Sequence, residues 1–154
     1  MAASQCGHLR VVERLLAAGA STNHQAQFGR FALCEAARKG HFDILQRLID
    51  AGADVNLSWG DGTTALILAV QGGDGAGAAA AVGALIAAGA DLEAHELLSG
   101  FTALMQASVL GRADVVFALV KAGADAGATD KQGRTAKELA QLAGQDQSIR
   151  MLMR

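Results

Sequence analysis

The chain has 154 residues, about the length of one ordinary domain, with 18% charged residues and a net charge of −2. No run of five like charges and no concentrated basic face occurs, which argues against a nucleic-acid binder. Half of the residues are apolar, mostly Ala, Leu and Val, with one Trp, five Phe and no Tyr, and this favours closely packed helices over an aromatic-rich sheet.

In chain order, MAASQCGHLR turns polar before an apolar core can form, so no secretory signal is read there. Ala3 to Cys6 reads as the last part of a helix, and Val12, Leu15 and Leu16 mark the buried face of the next. That helix ends in AAGAST. The closing phrase returns as DAGADV at 50–55, AAGADL at 87–92 and KAGADA at 121–126. The glycines of the phrase are Gly19, Gly52, Gly89 and Gly123, separated by 33, 37 and 34 residues. Ahead of the later three sit the trios Leu45/Leu48/Ile49, Val82/Leu85/Ile86 and Val116/Leu119/Val120. The i, i+3, i+4 spacing is one buried helix face, and the glycine after it is a helix stop in the left-handed conformation. A fifth trio, Ile149/Leu152/Met153, has the same internal spacing.

A second ladder interleaves with the first. Counting from Gly29, Gly62, Gly100 and Gly133, alanine recurs three residues on (Ala32, Ala65, Ala103, Ala136) and seven on (Ala36, Ala69, Ala107, Ala140). Gly40, Gly73, Gly111 and Gly144 follow at eleven. This is a short helix with a small-residue face. Thr64, Thr102 and Thr135 stand at its start as N-caps, and Thr135 with Glu138 forms a capping box. Phe31 takes the threonine's place in the second unit, which loses a cap worth about 1 kcal/mol.

In QGGDGAGAAAAV the gap from inter-helix glycine to trio grows from five residues to nine, Gly73 to Val82. Four residues are inserted, read as an enlarged helix–helix turn with an extra helical turn over Ala78–Ala81. A phosphate loop would need a preceding strand and a closing Lys with Ser or Thr, and neither is present. The weakly apolar stretch from Ala76 to Ala90 is shorter than the roughly 20 strongly apolar residues that a membrane helix requires.

Each unit therefore runs turn, helix, tight turn, helix, Gly-closed turn. FGRFALCEAARKGH, DGTTALILAVQGG, SGFTALMQASVLG and QGRTAKELAQLAG resemble the ankyrin repeat, whose period is 33 residues and whose motif is close to D-x-x-G-x-T-P-L-H-x-A. The family proline is Ala throughout, at little cost in a helix, and the family histidine becomes Cys34, Ile67, Met105 and Glu138. The resemblance implies an all-α solenoid of stacked helix-turn-helix units joined by β-hairpin-like turns. The expected units are a truncated first repeat (1–23), full repeats at 24–56, 57–93 and 94–127, and a solvent-facing C-terminal cap at 128–154. The short first unit leaves that end thinly covered, open to association or to continuation of the array.

The reading contains no enzyme: no catalytic residues, no cofactor and no metal are assigned. Cys6 and Cys34 lack ligand spacing and are too few for a disulfide framework, so reduced thiols in the cytoplasm or nucleus are expected. His8 and His41, each after a glycine, read as structural residues of the inter-helix turn. The resemblance implies recognition of another protein through the turn tips and first helices, which line a concave face. The positions mapped there are Phe28, Arg30, Arg38 and Lys39; Trp59, Asp61, Thr63 and Gln71; Leu98, Ser99, Phe101, Val109 and Leu110; and Lys131, Gln132 and Arg134. Trp59 and Phe101 are divided evenly between partner anchors and local packing over the helix ends. The family also implies that Asn56, and less well Asn23, stabilise a turn and can be targets of hydroxylation. The alternative function is a structural spacer, or a fragment of a larger multidomain ankyrin-repeat protein.

Overall fold

The structure is a computed structural model that describes residues 1–26, 30–72 and 76–153. Its helices are α1 (Ala2–Gln5), α2 (Leu9–Ala17), α3 (Ala32–Lys39), α4 (Phe42–Asp50), α5 (Ala65–Gln71), α6 (Ala76–Ala87), α7 (Ala103–Val109), α8 (Ala113–Lys121), α9 (Ala136–Leu142) and α10 (Asp146–Leu152). They pair as antiparallel neighbours within each unit. The odd-numbered helices stack in one layer, α1 on α3, then α5, α7 and α9, and the even-numbered helices stack in a second layer in the same order. Among the described residues the hairpin-like turns contribute only isolated antiparallel bridges, Ser58 with Thr64, His95 with Thr102 and Thr129 with Thr135. The architecture is an all-α helical solenoid.

Side-chain volume explains the two layers. In the inner layer Ala36, Ala65, Ala69, Ala103, Ala107, Ala136 and Ala140 are each at most 1% exposed, so successive helices meet through methyl groups. The outer layer packs on branched side chains, with Leu45, Val82, Leu85, Val116 and Leu119 fully buried. The residue ahead of each trio is buried too, as Ile44, Ala81 and Val115, so the outer face is wider than the trios alone indicate. In the first unit the equivalents Val11 and Leu15 are about half exposed, at 48% and 47%.

Helix ends follow the glycines. Gly19, Gly52, Gly89 and Gly123 have φ of 82°, 81°, 84° and 98°. At each, the glycine N–H and the N–H after it donate back into the last turn, as Gly52 to Ile49 and Ala53 to Leu48 at 2.9 Å both. Those paired bonds satisfy carbonyls that the helix itself leaves free. At the other ends, Thr64, Thr102 and Thr135 accept from the N–H three residues on, and the Thr135–Glu138 capping box is complete. The insertion carries the expected helical turn over Ala78–Ala81 and extends the helix further back. Helix α6 has 12 residues against nine in α2, α4 and α8, and it starts at Ala76, six residues before Val82 rather than three. Alanine is the best helix former, so most of the insert extends the helix. Gly73, at the centre of that reading, lies outside the described residues.

Two substitutions probe these constraints. Phe31 sits extended at the start of α3 with no side-chain cap, and it is buried at 6% exposure. Phe31→Thr would restore a cap worth about 1 kcal/mol but remove an aromatic whose loss costs about 3 kcal/mol or more, so urea unfolding is expected to show a net loss of about 2 kcal/mol. At Gly72 a Cβ would collide with the Arg38 carbonyl oxygen, which is rigid backbone at the end of α3. Gly72→Ala is expected to cost about 1–3 kcal/mol in the same experiment.

Candidate functional site

The exposed edge of the inner layer is built from one strip per unit. In the second unit its geometry is explicit. Arg30, in the turn, and Arg38, in the last turn of α3, converge on Glu35 between them, with Arg30 Nη1 to Oε1 at 3.1 Å and Arg38 Nη2 to Oε2 at 2.8 Å. The Glu35 carboxylate is fully buried, while the arginine side chains remain 37% and 32% exposed. Burial pushes the Glu35 carboxyl up, but the hydrogen bonds and charges of Arg38 and Arg30 outweigh it and hold the group below its ordinary value. The turn and the helix end are therefore bridged through a buried carboxylate in the middle of the helix. The equivalent positions are Thr63, Leu68 and Gln71, then Phe101, Gln106 and Val109, then Arg134, Leu139 and Leu142. At the helix end the strip changes from Arg38 through Gln71 to Val109 and Leu142, while its turn position is again an arginine, Arg134, in the fifth unit.

The turn tips are tied to one another. Leu97 N–H donates to the Asp61 carbonyl at 2.8 Å, and Lys131 N–H donates to the Ser99 carbonyl at 3.1 Å. The fourth tip is one residue longer: Glu96 N–H closes it on Phe101 O, whereas Trp59 closes on Thr63 and Asp130 on Arg134. Side chains brace the longer tip. Ser99 Oγ donates to Glu96 Oε2 at 2.9 Å and accepts from Phe101 N–H, while Gln71 Nε2 donates to Glu96 Oε1 at 2.9 Å. The extra residue projects Leu98 outward at 86% exposure.

The predicted positions divide by what they touch. Lys39, Asp61, Gln71, Leu98, Leu110, Lys131 and Gln132 are exposed. Arg30, Arg38 and Arg134 are partly exposed, each held by a carboxylate, and Ser99 and Val109 are partly buried. Trp59 and Phe101 pack against the core, and Thr63 is buried at 4% exposure, so these three present less surface. Phe28 lies outside the described residues. Glu96, Leu97 and Leu142 join the same surface and Glu35 lies buried beneath it, none of them having been singled out; the Glu35–Arg38 spacing of three was the available signal for Glu35.

Other polar groups are committed to structure. Asn23 Oδ1 accepts from Asp54 N–H and Asn56 Oδ1 from Asp91 N–H, both at 2.8 Å, and Glu93 Oε1 accepts from Asp125 N–H at 2.9 Å. The Asn56 amide also donates to the Gly89 carbonyl, so both of its ends join neighbouring units. The His41 ring lies over Gly7 and meets the Gln5 carbonyl at 3.2 Å, which gives it the structural place read from the Gly-His pair. A cleft of about 400 Å³ between the fourth and fifth turns is lined by Glu93, Asp125 and Asp130. Their oxygens already serve turn N–H groups, and Asp130 also holds Arg134 Nη2 at 2.7 Å. Burial pushes the Asp130 carboxyl up, but Arg134 and the turn N–H groups hold it below its ordinary value. Cys34 is buried, and burial with the nearby Glu35 charge pushes its thiol up to about 12, so it is protonated at neutral pH and no nucleophile.

The depressed Glu35 pKa gives a pH test. The stability it contributes is complete above the unfolded carboxyl value of about 4.3 and is lost as pH falls through the lower folded-state value. Glu35→Gln is expected to cost about 1–3 kcal/mol at neutral pH by urea unfolding. The gap between parent and variant should close as pH falls below about 4. A gap of constant size at every pH would assign the effect to packing alone.

Comparison with known families agrees with the repeat unit read from the helices. A family model of ankyrin repeats in three copies matches residues 1–96, and a model of the single ankyrin repeat matches residues 99–131. Helices α9 and α10 lie beyond both matches and stack on α7 and α8 in the same manner. Ankyrin repeats are generally protein–protein interaction modules and typically non-catalytic scaffolds. With the two matches covering most of its length, the chain belongs to the ankyrin-repeat family.

Proposed function

We propose that this protein is a non-catalytic recognition module that binds a partner protein across its turn tips and inner-helix face. The observation that carries the reading is the fourth tip, where Leu98 is 86% exposed on a backbone fastened to both neighbouring tips. An exposed leucine on a mobile loop would lose entropy on binding; one on a braced tip loses little. The adjoining exposed positions Gln71, Leu110 and Lys131 differ from unit to unit and supply specificity, while the repeated residues are consumed by packing. The free thiols Cys6 and Cys34 support a place in a reducing compartment, the cytoplasm or nucleus.

The test compares capture from source-cell lysate by the parent, by a Gln71→Ala/Leu98→Asp/Lys131→Glu variant, and by Phe117→Asp on the outer layer. All four positions are exposed, and circular dichroism checks each fold. The expected result is a partner retained by the parent and by Phe117→Asp and lost by the triple variant. Loss in Phe117→Asp alone would move recognition to the outer layer and overturn the proposal.

A further inference from the structure

Resting on the inner-face reading, we infer that the partner presents a linear segment with carboxylates at one end and large apolar side chains at the other. The two ends of the surface are chemically different, and each is built rather than merely exposed.

At the second unit, Arg30, Arg38 and Lys39 oppose a single carboxylate, Glu35. Glu35 holds one nitrogen of each guanidinium, so the arginines are fixed in place while their remaining N–H donors stay available among the described contacts. Lys39 is exposed one residue further on. Two guanidiniums on one buried carboxylate, with Lys39 next in sequence to Arg38, leave a local positive surplus in a chain whose net charge is −2. A pre-positioned pair of forked donors beside a free ammonium is complementary to carboxylates. An apolar or cationic segment would gain nothing there.

Two units away the surface is apolar. Leu97 at 54% and Leu98 at 86% exposure stand on the tip ahead of the partly buried Phe101, Val109 and the 44%-exposed Leu110 follow at the far end of α7, and Leu142 is 73% exposed in the fifth unit. Two exposed leucines on a tip held by Ser99, Glu96 and Gln71 form a pre-organised apolar seat. Stacked helices lie about 8–10 Å apart, so the cationic and apolar seats are separated by roughly 16–20 Å. That span corresponds to about five or six residues of extended chain, or about 11–13 of helix.

A library of random peptides of about 16 residues, displayed on phage and selected on the full chain, tests the inference without knowledge of the natural partner. Enriched peptides are expected to carry Asp or Glu separated from Leu, Ile, Phe or Met by one of those two spacings. Measured by fluorescence polarisation, a synthetic enriched peptide should bind about tenfold more weakly to Lys39→Glu and to Leu98→Ser. Added salt should weaken binding to the parent more than to Lys39→Glu. Enrichment without acidic residues, no enrichment at all, or binding indifferent to both substitutions would overturn the inference. Each of those results leaves the lysate comparison free to succeed, so failure of the segment's chemistry is separable from failure of the inner-face reading.

Discussion

The structure depends on how closely the inner helices can approach. Helices α5, α7 and α9 each contribute alanines at the same two heights, α3 adds Ala36, and those methyl groups are almost completely buried. Small side chains at those positions let neighbouring helices pack closely, while the outer helices pack through the larger Leu45, Leu85 and Leu119. In a stacked array a small rotation from each unit to the next shapes the extended face. The face proposed for recognition lies along the edge of this alanine-lined layer. The alanines also explain why its chemistry can vary freely: positions such as Arg38, Gln71, Val109 and Leu142 lie beside the contact, not within it.

Packing alone would leave the turns loose, and backbone N–H groups supply the missing constraint. Asn23, Asn56 and Glu93 each accept an N–H from the following unit, making a polar line parallel to the apolar stack. The tip-to-tip bonds at Leu97 and Lys131 form a second line. An exposed hydrogen bond contributes about 1 kcal/mol at most, but each of these also fixes the position of one unit against the next. Asn56 shows why a motif residue need not be a binding residue. Its amide joins Asp91 and Gly89, and either bond would have to open for the side chain to serve another purpose.

The fold was legible because the repeating residues make local demands. Gly52 and its equivalents announce a left-handed backbone, Thr64 and its equivalents announce a cap, and the Ala and Leu periodicities separate the two layers. The insertion was located from register and its helical turn over Ala78–Ala81 was anticipated, but not that the helix begins at Ala76. An alanine-rich insert beside a helix joins the helix, and α6 grew at its start. The surface was legible only in outline. Glu35 in CEAARK has the appearance of a solvated helix residue, and its burial depends on Arg30 arriving from the preceding turn. Trp59 and Phe101 were ambiguous for the same reason, since how far a turn aromatic folds down depends on the neighbouring units that cover it. Contacts between units have no signature in a single unit's sequence.

The two irregularities of the array show where such a scaffold can change. Helix α6 is longer at its start and the fourth tip is longer by one residue, yet the alanines of α5 and α7 on either side keep their burial. Each unit touches only its neighbours, so an added residue that avoids the stacking surface disturbs nothing beyond its own turn. An insertion within the Ala65–Ala69 spacing would instead rotate the methyl groups off the contact and separate two units. Variation is therefore confined to the turns and to the free edge of the inner layer. Leu98 is the residue that such freedom placed on the surface, and its neighbours hold it there by backbone bonds that do not depend on side-chain identity. A tip of this kind can exchange one presented side chain for another while the stack beneath it stays the same.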